Sequence, residues 1–177
     1  IDEGDFGINS LFITRNGYLV AAGYDAPFQP DDAQHLFSAT KSVISILVGI
    51  AIEEGYITGV DQPVLDFFPE IDPTTAGARL QEMTLEDLLT MTGGFEWHEM
   101  APYEGDSLSR MIGSPDWVAY VLDQPIAHPP GEVFNYNSGV SHLLSAILTR
   151  ATGESTLTYA RERLFEPLGI TDLDWRV

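Results

Sequence analysis

Ser38-Ala39-Thr40-Lys41 heads the apolar run Ser42-Val43-Ile44-Ser45-Ile46-Leu47-Val48-Gly49-Ile50-Ala51-Ile52, and Lys41 is the only lysine among 177 residues. The run is apolar almost all round, as in a buried helix. The spacing predicts that helix from about Ser38 to Glu54, stopped by Gly55. Three residues are nearly one helical turn, so Ser38 and Lys41 share a face with Cβ atoms roughly 5–6 Å apart. A desolvated lysine can be neutral and take a proton from a neighbouring hydroxyl, whereas arginine stays protonated. A serine in the first turn also feels the positive end of the helix dipole, which favours negative charge developing there. Ser38 is therefore a candidate nucleophile and Lys41 a candidate base. Two plainer readings compete: a lysine that snorkels from a buried helix to water, and a chance serine three residues before it.

Composition narrows the classes of function. Twenty-seven acidic residues against 8 basic ones give a net charge of −19, which argues against nucleic acid or an anionic membrane as partner. The same acidic, lysine-poor surface fits either salt adaptation or simple solubility. With 44% hydrophobic and 11% aromatic residues the chain is globular, long enough for one good core or two small lobes. It has no charge-free apolar stretch of membrane-spanning length and no basic region followed by a cleavage site. Its first residue is Ile1, so processing or a boundary upstream is expected. The absence of cysteine excludes disulfides and thiolate metal sites and leaves the compartment open. His35, His98, His128 and His142 show no paired metal-ligand spacing, and no cofactor is implied.

Leu11 to Arg15 and Tyr18 to Tyr24 read as β-strands joined by Asn16-Gly17, a strong hairpin signal. Gly23 to Gln34 is loop-like, and Pro63, Pro69 and Pro73 punctuate an irregular stretch. Thr84-Leu85-Glu86-Asp87 opens a short helix ending at Gly93-Gly94. Ser114-Pro115 starts another, with the serine as cap. Further helices are expected from Ser138 to Thr152, closed by Gly153, and from Ser155 to Phe165. Two strands cannot form a stable sheet alone, so the hairpin must pair with something else. Trp117 and Trp175 are expected in cores.

Tyr136-Asn137-Ser138 follows Pro130-Gly131-Glu132-Val133-Phe134 and leads into a helix. Alone it is weak evidence. Beside Ser38 and Lys41 it gains meaning, because a phenol between serine and leaving group can relay a proton, and the hydroxyl of Ser138 can hydrogen-bond the amine.

With these two motifs the chain resembles the serine β-lactamase and penicillin-binding superfamily. The resemblance is to the branch holding class C β-lactamases, D-alanyl-D-alanine carboxypeptidases, β-lactamase-fold esterases and 6-aminohexanoate-oligomer hydrolases. Ser38-Ala39-Thr40-Lys41 matches its S-x-x-K motif and Tyr136-Asn137-Ser138 its Y-x-N/S motif. Gly55-Tyr56-Ile57, Asp61-Gln62-Pro63-Val64, Met91-Thr92-Gly93-Gly94-Phe95, Pro130-Gly131 and Pro167-Leu168-Gly169-Ile170-Thr171-Asp172 also fit.

The resemblance implies an α/β (α+β) fold, an antiparallel sheet domain interrupted by a mostly helical domain, with the site in the cleft between them. Residues 1–37 would be a hairpin of the sheet domain, and 38–177 the nucleophile helix and helical domain. Ser38 would be acylated, Lys41 would activate it, and Tyr136 would relay the proton. The Ser38 backbone N–H would be one oxyanion donor, a type of contact that contributes about 2.7–4 kcal/mol. Ser138, Phe95 and Trp97 are candidate substrate-binding residues, and Tyr103 could line the same pocket; core packing is an equal reading for the three aromatics.

The implied substrate is a small ester, amide or β-lactam, with a lean toward the esterase and aminohexanoate-hydrolase side and toward an extracytoplasmic location. The alternatives are a penicillin-sensing or non-catalytic acyl-binding module and a structural scaffold that has lost the chemistry, with β-lactamase or D-Ala-D-Ala carboxypeptidase as the alternative substrate class. The family's third motif, a K-T-G or H-x-G triplet on a sheet strand, is missing from the sequence. A C-terminal remainder of the same hydrolase is therefore expected as a second fragment or chain.

Overall fold

The structure is a computed structural model that describes residues 7–72, 77–99 and 105–175. It divides into two compact units, Ile1–Leu36 and Phe37–Val177.

In the first unit, β1 (Ser10–Arg15) and β2 (Tyr18–Tyr24) pair antiparallel, with Arg15 opposite Tyr18 and Ser10 opposite Tyr24. Asn16 and Gly17 both take positive φ, 51° and 80°, as the tight turn of a two-residue hairpin requires. A bulge between Ile13 and Thr14 shifts the register. Every residue of β2 is exposed, and Phe12 and Val20 lie more than half open to solvent. Among the described residues no third strand joins the pair.

The second unit is built around two helices, α1 (Thr40–Glu53) and α6 (Ser138–Thr152), which pack on each other. Helix α1 buries Ile44, Leu47, Val48 and Ala51, and α6 buries Val140, Leu143, Leu144, Ile147 and Leu148. Both sets recur at three and four residues, so each helix presents one apolar stripe to the other. Burying one such side chain contributes about 1.5–3 kcal/mol. Helix α1 is not buried all round: Ser42, Ser45, Ile46 and Gly49 form an exposed side, with Ile46 at 50% exposure. Gly55 (φ 79°) and Gly153 (φ 77°) end the two helices in the left-handed region.

Shorter elements surround this pair: α2 (Ala78–Glu82), α3 (Leu85–Leu89), α4 (Ser107–Ile112), α5 (Trp117–Leu122) and α7 (Thr156–Ala160), the last continuing as a π-helical turn over Arg161–Phe165. Thr84 and Asp87 form a reciprocal capping box on α3. That helix stops before Gly93-Gly94, because Met91 turns left-handed at φ 60°. The cap of α5 is Asp116 rather than Ser114: its carboxylate accepts the Ala119 N–H at 2.9 Å, while the Ser114 hydroxyl turns back to the Met111 carbonyl at 2.8 Å. A carboxylate on the residue directly before the helix satisfies an orphan N–H that Ser114, two residues further out, leaves to it. Helices α2 and α4 carry no strong sequence signal. Asp106 caps α4 by accepting from Ser109 N–H. Pro73 and Tyr103 lie outside the described residues.

Candidate active site

Ser38 sits in a 3-10 turn over Phe37–Ala39 that runs straight into α1, so it lies just ahead of the α-helix and not in its first turn. Phe37 enters that turn at φ 44°, an uncommon conformation for a bulky residue. The 3-10 geometry keeps a three-residue repeat, so Ser38 and Lys41 stay on one face. Lys41 Nζ donates a 3.0 Å hydrogen bond to Ser38 Oγ.

Tyr136 reaches the same oxygen from 98 residues away: its hydroxyl donates to Ser38 Oγ at 2.5 Å. Lys41 Nζ stands over the Tyr136 ring, 4.9 Å from the centroid. Hydrogen bonding from Ser38, then from Lys41, stabilises the phenolate and holds the Tyr136 pKa below its ordinary 10.0, against opposing effects of burial and of the Glu99 charge. Ser38, Lys41 and Tyr136 thus converge on one hydroxyl oxygen.

Tyr136 is presented by a tied-down backbone. Asn135 N–H donates to the Met91 carbonyl at 2.9 Å, and its side-chain amide donates to the Trp97 and Phe95 carbonyls at 3.0 and 3.3 Å. The backbone N–H of Asn137 donates to Met91 Sδ at 3.3 Å, and the Asn137 side chain caps α6 by accepting from Val140 N–H.

The other expected site residues sit elsewhere. The Ser138 hydroxyl donates to Glu99 Oε1 at 2.6 Å, so it is held by a carboxylate and not by the lysine. Phe95 and Trp97 are each only 2% exposed and belong to the hydrophobic core; Trp97 packs edge-on against Tyr120 with ring centroids 6.3 Å apart. These two residues shape the site through the carbonyls that Asn135 grips.

Lys41 also borders a cavity of about 520 Å³, lined by Phe37, Thr40, Ile44, Trp117, His142 and Trp175 among others. Trp117 is therefore a wall residue as well as a packing one, with His142 edge-on at 5.1 Å. Burial pushes the His142 pKa below its ordinary 6.5, with Asp116 opposing. Trp175 lines the same space and leans on Phe165 at 6.4 Å. Glu99, Met91, Asn135 and His142 carry no local site signal in the sequence, because their contacts join positions about 40 apart or depend on helix packing that spacing does not reveal. Among the described residues no helix is long and apolar enough to cross a membrane.

Comparison with known proteins places the chain in a family. Lovastatin esterase of Penicillium rubens is 25% identical over 186 residues, covering 96% of this chain and 45% of the relative. Esterase EstB of Burkholderia gladioli is 25% identical over 155 residues, covering 82% of this chain and 39% of the relative. The chain thus spans less than half the length of these relatives. A D-stereospecific amidohydrolase from a Streptomyces species superposes with a TM-score of 0.66 at 20% identity, over 84% of this chain and 46% of that one, which shows a shared fold. The beta-lactamase family model matches residues 8–177, nearly the whole sequence, and the chain belongs to that family.

Proposed function

We propose that the chain carries the nucleophile part of a serine hydrolase that cleaves esters or amides through an acyl-enzyme. The observation that supports this reading is the convergence of Lys41 Nζ and Tyr136 Oη on Ser38 Oγ, at 3.0 and 2.5 Å. In the proposed reaction Lys41 takes the Ser38 proton, directly or through Tyr136, as Ser38 Oγ attacks the substrate carbonyl carbon. The tetrahedral intermediate collapses with loss of the alcohol or amine, which receives the proton from Tyr136. Water then attacks the acyl-serine and gives its proton to the same relay; the second tetrahedral intermediate expels Ser38 Oγ, which takes that proton back as the acid leaves. Each such proton transfer contributes about 10²–10⁴-fold.

Ester substrates are favoured by the likeness to two esterases, and amides by the amidohydrolase fold; a β-lactam is the further substrate class. The Ser38 backbone N–H serves as one oxyanion donor. The second donor and the third motif come from a C-terminal remainder of the hydrolase, a reading supported by the 45% coverage of lovastatin esterase. A fluorophosphonate probe on the full-length protein tests the proposal. It adds to Ser38, located by peptide mass spectrometry, and p-nitrophenyl acetate is turned over. Labelling without turnover would instead mark an acyl-binding sensor, and no label at Ser38 would overturn both readings.

A further inference from the structure

Glu99 stands beside the reactive cluster without touching Ser38. Its Oε2 accepts the backbone N–H of Ser138 at 2.7 Å and the indole N–H of Trp97 at 2.9 Å, and its Oε1 accepts the Ser138 hydroxyl at 2.6 Å. Three donors on one carboxylate leave it little freedom, and charge-assisted bonds of this kind are the strong ones. Ser138 is the first residue of α6 and lies two residues after Tyr136.

A helix cap alone does not account for this arrangement. Asn137 already caps α6 through Val140 N–H, and Glu99 takes a different orphan donor, Ser138 N–H. Together with the two Met91 bonds and the Asn135 amide, the carboxylate closes a bracket around Tyr136 on both sides. Among the described residues the charged groups acting on the phenol are Lys41 from α1 and Glu99 from the 91–99 loop, and they act with opposite sign.

We propose that Glu99 is a positioning residue for the Ser38 reaction. Its carboxylate fixes the Asn135–Ser138 turn so that the Tyr136 hydroxyl meets Ser38 Oγ, and its charge offsets that of Lys41 at the phenol. The inference rests on the acyl-enzyme reading of the site.

Glu99→Gln tests it, because glutamine keeps the shape and can rotate to offer an acceptor to Ser138 N–H and a donor to the Ser138 hydroxyl, while the charge is lost. In full-length protein carrying ζ-¹³C tyrosine, the Tyr136 resonance is identified by its loss in Tyr136→Phe and titrated by NMR. Glu99→Gln should lower the Tyr136 midpoint, since the phenolate no longer faces a carboxylate. The pH limb of Ser38 labelling should move in the same direction. Glu99→Ala, which also removes the bracket, should slow labelling by about tenfold or more.

A Tyr136 midpoint that stays put or rises in Glu99→Gln overturns the proposal, as does a variant that loses only thermal stability with labelling rate and midpoint unchanged. If Glu99→Ala does not fold, Glu99→Gln still decides. If the wild-type protein does not label at Ser38, the hydrolase reading fails while the Tyr136 titration still reports on Glu99.

Discussion

The Tyr136 hydroxyl lies 2.5 Å from Ser38 Oγ although 98 residues separate the two in sequence. The oxygen that Tyr136 reaches is the one that Lys41 holds from the next turn of the same chain segment, at 3.0 Å. A local pair and a distant phenol therefore share one acceptor, and variants of either partner should read out on that oxygen.

Lys41→Arg puts a permanently protonated guanidinium where the base stands. Acylation of Ser38 by a fluorophosphonate should slow by at least about 100-fold, with the melting midpoint nearly unchanged. Stopped-time labelling followed by mass spectrometry measures the rate, and a near wild-type rate would remove Lys41 from the mechanism.

Tyr136→Phe deletes the phenol and should slow acylation by about 10²–10⁴-fold. The Tyr136 pKa lies below 10.0, so the phenolate is populated at lower pH than for an ordinary tyrosine. A reaction that uses the phenolate as proton acceptor therefore rises with pH along a limb below 10, and the Phe variant should lack that limb. A pH series of labelling rates compares the two; an identical limb in both proteins would rule out Tyr136 as its source.

Gly139→Ala tests the packing beneath the α6 start. A Cβ at Gly139 would lie 2.7 Å from Val121 Cγ2, 2.8 Å from the Trp97 ring and 2.9 Å from Asn137 Oδ1. Two of these atoms belong to buried core side chains and the third is the helix cap, so none is a flexible end that moves away at little cost. Overpacking of this kind destabilises by about 1–3 kcal/mol. Denaturant melts should show the loss, and an unchanged midpoint would mean that the turn relaxes freely.

His142 sets a pH dependence of stability. Burial favours its neutral form, so its folded pKa is below the unfolded 6.5, and the unfolded chain binds the proton first as pH falls. The contribution is intact above about 6.5 and is lost as pH drops through the lower folded value. Thermal midpoints measured from pH 8 down should fall in that window, and His142→Gln should flatten the dependence. Parallel curves for the two proteins would show that His142 does not contribute.

Much of the fold was legible because its signals are local. The Asn16-Gly17 turn, the Gly55 and Gly153 stops, the Thr84 capping box and the α6 span all depend on residues within a few positions of one another. Helices α2 and α4 were not legible, since five or six residues carry too little periodicity to stand out unless a start signal marks them, as at Thr84, Ser114-Pro115 and Ser155 for the equally short α3, α5 and α7. The cap of α5 was assigned to Ser114 because sequence shows which residues can cap but not which backbone takes the extended conformation, and Asp116 takes it.

For the site, sequence alone marked the Ser38–Lys41 pair, because a spacing of one helical turn puts their side chains on one face. It also marked Tyr136 by its motif. Tertiary structure decided the rest: whether the phenol reaches Ser38, that Phe95 and Trp97 face the core, that Ser138 goes to Glu99, and that Trp117 and His142 wall a cavity. Those contacts join positions tens of residues apart, and their geometry is fixed by how α1 and α6 bury their apolar stripes against each other, which no short-range pattern encodes.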